Sequence, residues 1–369
     1  MLDTRVEKLA EVLVDYSLEL KKDDKVVIRG TPVAEPLIKA ICVKALEAGA
    51  HPMTMVSLPC VDELLLKYGS DDQLRHVPEP TKLITETYDA SITVMSEINT
   101  KSLSGSDPAK MVMMRQAQSE VMETFLKRIS AGDMRWVGTL FPTNGYAQDC
   151  DMGLSDYEDF VYGACLPDLD DPVDYWRRFS TRQQKAVDWF KGRRALRVTG
   201  PETDLRMSIA DRVFINCDGR QNMPDGEIYT GPVEDSIEGR VYFAYPAIYQ
   251  GREVSGVRLW FEAGKVVKAS AEKNEEFLLK MLDTDEGSRY VGEFAIGTNR
   301  GITRFTRHAL FDEKISGTFH MALGAGLEES GSKNKSAIHW DMICDLRGGG
   351  EIRVDDELLH KDGEFTIDF

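Results

Sequence analysis

The chain has 369 residues, enough at roughly 150 residues per domain for two domains or a little more. Its 45 basic and 62 acidic residues leave a formal charge of −17, which excludes binding modes that rest on neutralising phosphate or anionic lipid, so neither nucleic acid nor a membrane is expected as a partner. With 42% apolar and 29% charged residues the composition excludes long disorder, collagen and a coiled-coil rod.

No stretch approaches the roughly 20 apolar residues of a membrane span, and the opening MLDTRVEKLAEVLVDY lacks the apolar core of a signal peptide. The six cysteines, at 42, 60, 150, 165, 217 and 344, contain no C-x-x-C pair. A cytoplasmic protein with reduced, mostly buried thiols is expected.

Thr4 and Glu7 stand at capping-box spacing around Val6, Leu9, Ala10 and Leu13, which predicts an amphipathic first helix. KVVIRG, a helix from about Glu35 to a terminating Gly49, and PMTMVSL then spell strand, helix, strand. SITVM at 91–95 and RWVGTL at 135–140 extend the alternation around the helical stretch AKMVMMRQAQSEVMETFLKRI, so the first domain, 1–192, is expected to be α/β with a parallel sheet. A helical region from about Asp171 to Gly192 leads into closely spaced β-type runs such as LRMSIA, RVFINCDG and VSGVRLWFEAGKVVKASA. The second domain, 193–369, is therefore expected to be strand-rich.

Three of the six histidines fall between 308 and 339. In SAIHWDMICDL, a strand places His339 and Asp341 on one face, as two ligands of a metal or as a hydrogen-bonded pair. LFDEKISGTFHMALG carries Glu313 and His320 on either side of a glycine turn. Glu227 follows a turn signal and Glu293 sits between apolar neighbours; either is costly to bury unless paired or bound to a cation, and harmless on a solvated strand face.

GRQNMPDGEIYTGPVEDSIEG, VGEFAIGTNRGI, LFDEKISGTFHMALG and SKNKSAIHWDMICDLR together resemble the thermophilic metallo-aminopeptidase family, the aminopeptidase T group. The resemblance spans most of the chain and is most specific from about Thr203 to Arg347. It implies a dinuclear centre of two divalent ions with Glu227, Glu293, His320, His339 and Asp341 as ligands and Glu313 as a further one. It also implies a cytosolic homodimer whose first domain helps close a cavity over a metal-binding second domain, and a peptide substrate with a free N-terminus. Mixed carboxylate and imidazole donors suit Zn, Co or Mn and a catalytic rather than structural site. One of the glutamates would serve as general base. The family tyrosine seven residues after the ligand histidine is here Leu327, so either the metals alone suffice, a distant tyrosine such as Tyr229 or Tyr290 supplies the hydroxyl, or the chemistry has changed.

An alternative is a non-haem Fe(II) ring-cleaving dioxygenase using His320, His339 and Asp341 as two histidines and one carboxylate. A third reading, a dimeric scaffold with a decayed site, fits the intact ligand set least. GAGLEESG has the wrong spacing for a dinucleotide fingerprint, so no nucleotide cofactor is expected.

Overall fold

The computed structural model describes residues 3–249 and 251–368. The chain forms two compact units, one of Met1–Arg177 with Gly219–Pro224 and the other of Arg178–Asp218 with Asp225–Phe369.

The first unit opens with helix α1 (Thr4–Glu11), continued by a π turn over Val12–Ser17. Asp3, not Thr4, caps it, by accepting from the Arg5 amide at 2.9 Å. The spacing of Thr4 and Glu7 suggested a box one residue later, but the neighbouring carboxylate takes the free amide first. Strand β1 (Lys25–Gly30) leads through α2 (Glu35–Glu47) to β2 (His51–Val56). Helix α2 stops at Gly49, whose φ of +79° suits glycine, with Gly49 and Ala50 amides returning to the Leu46 and Ala45 carbonyls.

Helices α3 (Cys60–Tyr68), α4 (Asp71–Arg75) and α5 (Glu79–Thr87) precede β3 (Ala90–Met95). The stretch expected as one helix up to Ile129 is two, α6 (Pro108–Ala117) and α7 (Ser119–Ser130), broken at Gln118. After β4 (Arg135–Leu140) come α8 (Asn144–Asp149), α9 (Leu154–Cys165) and α10 (Pro172–Trp189). Valines and isoleucines of β1, β3 and β4 are buried, which is why these strands read as apolar runs without alternation.

The second unit holds β5 (Ala195–Gly200), β6 (Thr203–Ser208) and β7 (Ile215–Cys217). The short β8 (Asn222–Met223) belongs to the first unit, where it completes a five-stranded parallel sheet in the order β2-β1-β3-β4-β8. The second unit resumes with β9 (Glu227–Thr230), β10 (Glu238–Phe243), β11 (Ala247–Tyr249), β12 (Arg252–Val254), β13 (Val257–Glu262) and β14 (Lys265–Ser270). Helix α11 (Glu275–Leu282), β15 (Val291–Gly297), α12 (Ala309–Asp312), β16 (Thr318–Gly324) and β17 (His339–Asp345) follow. Strands β18 (Glu351–Val354), β19 (Glu357–Lys361) and β20 (Glu364–Phe365) end the chain.

These strands make an eight-stranded sheet, β14-β13-β10-β6-β5-β18-β19-β20, a ribbon β11-β12, and a five-stranded antiparallel sheet, β17-β16-β15-β9-β7. The α/β first part and the strand-rich second part are those expected. One core joins Leu205, Val241 and Leu259 of the large sheet to Phe294, Phe319 and Met342 of the five-stranded sheet. The inner face of the smaller sheet is thus committed to packing, which turns its alternate residues to the other face. No described helix is long and apolar enough to cross a membrane.

Candidate metal centre

Strand alternation assembles the site. On β17, Trp340, Met342 and Cys344 enter the core while His339, Asp341 and Ile343 share the opposite face. Register then aligns neighbours on that face: Ala322 of β16 opposite Asp341 and Glu293, Ala295 opposite His320 and Tyr229, Gly297 opposite Glu227. Small residues form the floor between the large polar ones, leaving room above them. Gly226 delivers Glu227 to the start of β9 at φ +129°; a Cβ there would lie 2.7 Å from that of Asn299.

All six residues singled out in the sequence meet here. His320 Nε2 lies 3.1 Å from Glu293 Oε1, 3.6 Å from Glu227 Oε2 and 3.9 Å from Asp341 Oδ1. His339 Nε2 lies 3.8 Å from Glu293 Oε2 and 3.5 Å from Asp341 Oδ2. Glu313 adjoins them through its chain neighbour, its Oε2 standing 2.6 Å from the Lys314 ammonium, which also reaches Glu227 Oε1 at 3.4 Å. Lys314 and Asp225, both buried, were not singled out in the sequence. The only sign of Lys314 was its place between two apolar runs, and a D-E-K triplet ordinarily reads as a solvated turn.

The donor chemistry asks for cations. His320 Nδ1 meets the Glu313 carbonyl at 3.1 Å and His339 Nδ1 meets the Ala325 carbonyl at 2.8 Å. A carbonyl only accepts, so both Nδ1 atoms donate and Nε2 of each ring faces carboxylate oxygens, a donor to them while the ring is protonated and a ligand atom once a cation takes the place of that proton. Glu227 Oε2 and Asp341 Oδ1 are buried with no hydrogen-bond partner among the described residues. Five carboxylates, Asp225, Glu227, Glu293, Glu313 and Asp341, share this cluster with one ammonium, that of Lys314, and such an excess of acidic groups is costly to bury unless cations enter. The residues therefore fit divalent metal.

The titration directions carry the same signature. Burial opposes charge on His320, but Glu293, Glu227 and Asp341 hold its pKa up at about 10. His339 is raised too, Asp341 overcoming the effect of burial. Burial, with Glu313 beside it, pushes Asp341 up to about 7, and burial also raises Glu227. Glu313, partly buried, is held low by Lys314 against the effect of burial. Glu293, His320 and Asp341 each bring one donor atom within a common 4.8 Å. A second group, Cys217, Asp225 and Glu227, already faces Lys314 through its carboxylates.

Leu327 stands exposed at the start of a short turn, Glu328–Ser330. Tyr229 is two residues from Glu227 on the same face of β9, buried, and donates its hydroxyl to Glu329. Tyr290 lies just before β15, its carbonyl bonded to Gly324.

A buried cluster of carboxylates and imidazoles on an antiparallel sheet is the centre of a metalloenzyme. Residues 2–365 match the sequence profile of the thermophilic metalloprotease family, M29, and the chain belongs to that family; it is a hydrolase. Aminopeptidase T of Thermus thermophilus is 28% identical over 411 residues, covering 98% of this chain and 96% of that protein. Aminopeptidase AmpS of Bacillus subtilis is 26% identical over 343 residues, covering 86% and 83%. The solved structure of wild-type AmpT from Thermus thermophilus shares the fold, with TM-score 0.86 and 24% identity over 98% of this chain and 99% of that one.

Proposed function

We propose that this chain is a metal-dependent aminopeptidase, releasing the N-terminal residue of peptides at a centre of two divalent ions, Zn, Co or Mn. The observation that carries the reading is a double bridge: Glu293 and Asp341 each turn one oxygen toward His320 and the other toward His339. Carboxylates shared in this way suit two cations roughly 3.5–4 Å apart. Glu227, Glu293, His320 and Asp341 would hold one ion, and Glu293, His339 and Asp341 the other. The names of the relatives, aminopeptidase T and aminopeptidase AmpS, supply the substrate class.

When bound, the ions supply Lewis acidity toward a peptide carbonyl and lower the pKa of a water. The chain's own residues do the rest. The two carbonyl contacts at Nδ1 fix both rings, so neither imidazole must reorient when substrate arrives. Glu313, anchored by Lys314 and lining the cavity with His339 and Asp341, would take a proton from the attacking water and return it to the leaving amine. Tyr229, on the same face of β9 as Glu227, would supply the hydroxyl that Leu327 lacks on leaving its hydrogen bond to Glu329.

Action in the cytoplasm accords with six free cysteines. A homodimer accords with the exposed Val61, Leu64, Leu65 and Tyr68 of α3, apolar surface suited to cover by a second copy. An iron dioxygenase would use only His320, His339 and Asp341 and leave the burial of Glu227 and Glu293 against the same ring without purpose. Replacing both glutamates, Glu227→Gln with Glu293→Gln, tests the choice. Chelator-sensitive release of N-terminal residues should disappear; an oxygen-consuming activity that survived the double change would overturn the proposal.

A further inference from the structure

Gln183 of α10 is buried, at 5% exposure, although glutamine is mostly a surface residue. Both ends of its carboxamide are engaged inside the fold. Nε2 donates to Asn216 Oδ1 at 2.6 Å, to the Cys217 carbonyl at 2.8 Å and to the Glu227 carbonyl at 3.0 Å, while Oε1 accepts from the Thr298 hydroxyl. Main-chain carbonyls only accept, so the amide cannot sit the other way round. A leucine here could not answer these carbonyls, and a glutamate would set oxygen against oxygen.

The contact to Glu227 completes a series. Three successive carbonyls are each held by a different donor: Asp225 by Asn299 Nδ2 at 2.7 Å, Gly226 by the Thr298 amide at 2.8 Å, and Glu227 by Gln183. Thr298 closes the ring, its amide holding Gly226 and its hydroxyl holding Gln183. Glu293 and His320 lie within strands of seven residues, whereas Glu227 is the first residue of the four-residue β9, where ladder pairing alone supports it least. From that position its Oε1 stands 3.4 Å from the Lys314 ammonium and its Oε2 3.6 Å from His320 Nε2. A support left about 1 Å loose is enough to spoil such a site.

We infer that Gln183 is a positioning residue for the metal centre: through the Glu227 carbonyl it holds that carboxylate toward the ion Glu227 would share with Glu293, His320 and Asp341. The inference rests on the two-ion reading and adds to it a residue outside the ligand set. Loss of an outer partner of a ligand costs about 10–100-fold in metal affinity. The loss should fall on one ion only, because the other, held by Glu293, His339 and Asp341, does not use Glu227.

The test titrates the metal-free full chain with Co(II), read by visible absorption and by competition with a chelator, so that occupancy is measured without activity. Gln183→Leu should bind one ion about 10–100-fold more weakly and the other as the parent does. Thr298→Val, which keeps the carboxamide but removes the hydroxyl that orients it, should weaken the same ion by less. Glu227→Gln should weaken that ion too, and adding Gln183→Leu to it should cost nothing further, the mark of one residue acting through another. Gln184→Leu, one position along α10 with its amide bonded to Asp188 and Asn216, should change neither ion. A folded Gln183→Leu protein that binds both ions as the parent does, or both equally weakly, would overturn the positioning role. If the parent takes up a single ion and Gln183→Leu weakens it, the two-ion reading falls and the role of Gln183 stands.

Discussion

The ammonium of Lys314 stands 2.6 Å from Glu313, with Glu227 Oε1 a further 3.4 Å contact, Lys314 and Glu227 being buried and Glu313 partly so. Lys314 is thus a permanent counter-ion inside the ligand cluster: it ties one oxygen of Glu227 and leaves the other facing His320. Removing one member of a buried ion pair typically costs about 3–5 kcal/mol because the partner charge stays behind. Lys314→Met should therefore lower the stability of the metal-free protein by that order in urea denaturation. Added divalent ion should restore more stability to the variant than to the parent; equal urea midpoints for the two metal-free proteins would show that the ammonium has no such role.

Glu293, like Asp341, faces both imidazoles, and it makes the shortest contact of the four, 3.1 Å to His320. Loss of an outer partner of a metal ligand costs about 10–100-fold in affinity, and a bridging carboxylate should cost more than that. Titration of Glu293→Gln with Zn against a competing chelator should show at least a 100-fold weaker site. Retained affinity would remove Glu293 from the ligands.

Tyr229 offers a kinetic test. Deleting one donor that stabilises a transition-state oxyanion lowers turnover by about 10²–10³. Tyr229→Phe should lower kcat by at least 10-fold with KM little changed, measured on the preferred anilide. An unaltered kcat would leave the tyrosine only its contact with Glu329.

His360 lies far along the chain, on β19, buried with its ring edge-on to Phe365 at 5.2 Å. Burial lowers its pKa from 6.5 to about 4. The native state therefore holds the neutral ring while the unfolded chain takes up a proton below about 6.5, so the contribution is intact above that pH and is lost on acidification between about 6.5 and 4. The loss should reach about 3 kcal/mol. Relative to His360→Leu, the parent should lose stability across this window in denaturant titrations at pH 7, 5.5 and 4; parallel losses would contradict the burial argument.

The centre was legible because it is built on strands. One residue of spacing places His339 and Asp341 on a common face, and glutamates amid apolar residues, such as Glu293, betray themselves by their cost. The inner strands of the first unit, β1, β3 and β4, were legible as apolar runs for a related reason, burial on both faces. Lys314 was not, since a lysine beside two acidic residues reads as surface until its burial is seen. Nor was β8: two residues, Asn222 and Met223, pair with β4 only because tertiary structure returns them to a distant sheet. Gln118, an ordinary helix former, gave no sign of the break between α6 and α7.

The central claim is that Glu227, Glu293, His320, His339 and Asp341 hold catalytic divalent metal. It is tested most directly by the metal content of the protein purified without added metal, taken with hydrolysis of amino-acid anilides before and after chelation and reloading with Co, Zn, Mn or Fe(II). The account predicts about two ions per chain and release of N-terminal residues that chelation abolishes and reloading restores. One Fe(II) per chain, no hydrolysis under any metal, and consumption of oxygen would contradict it.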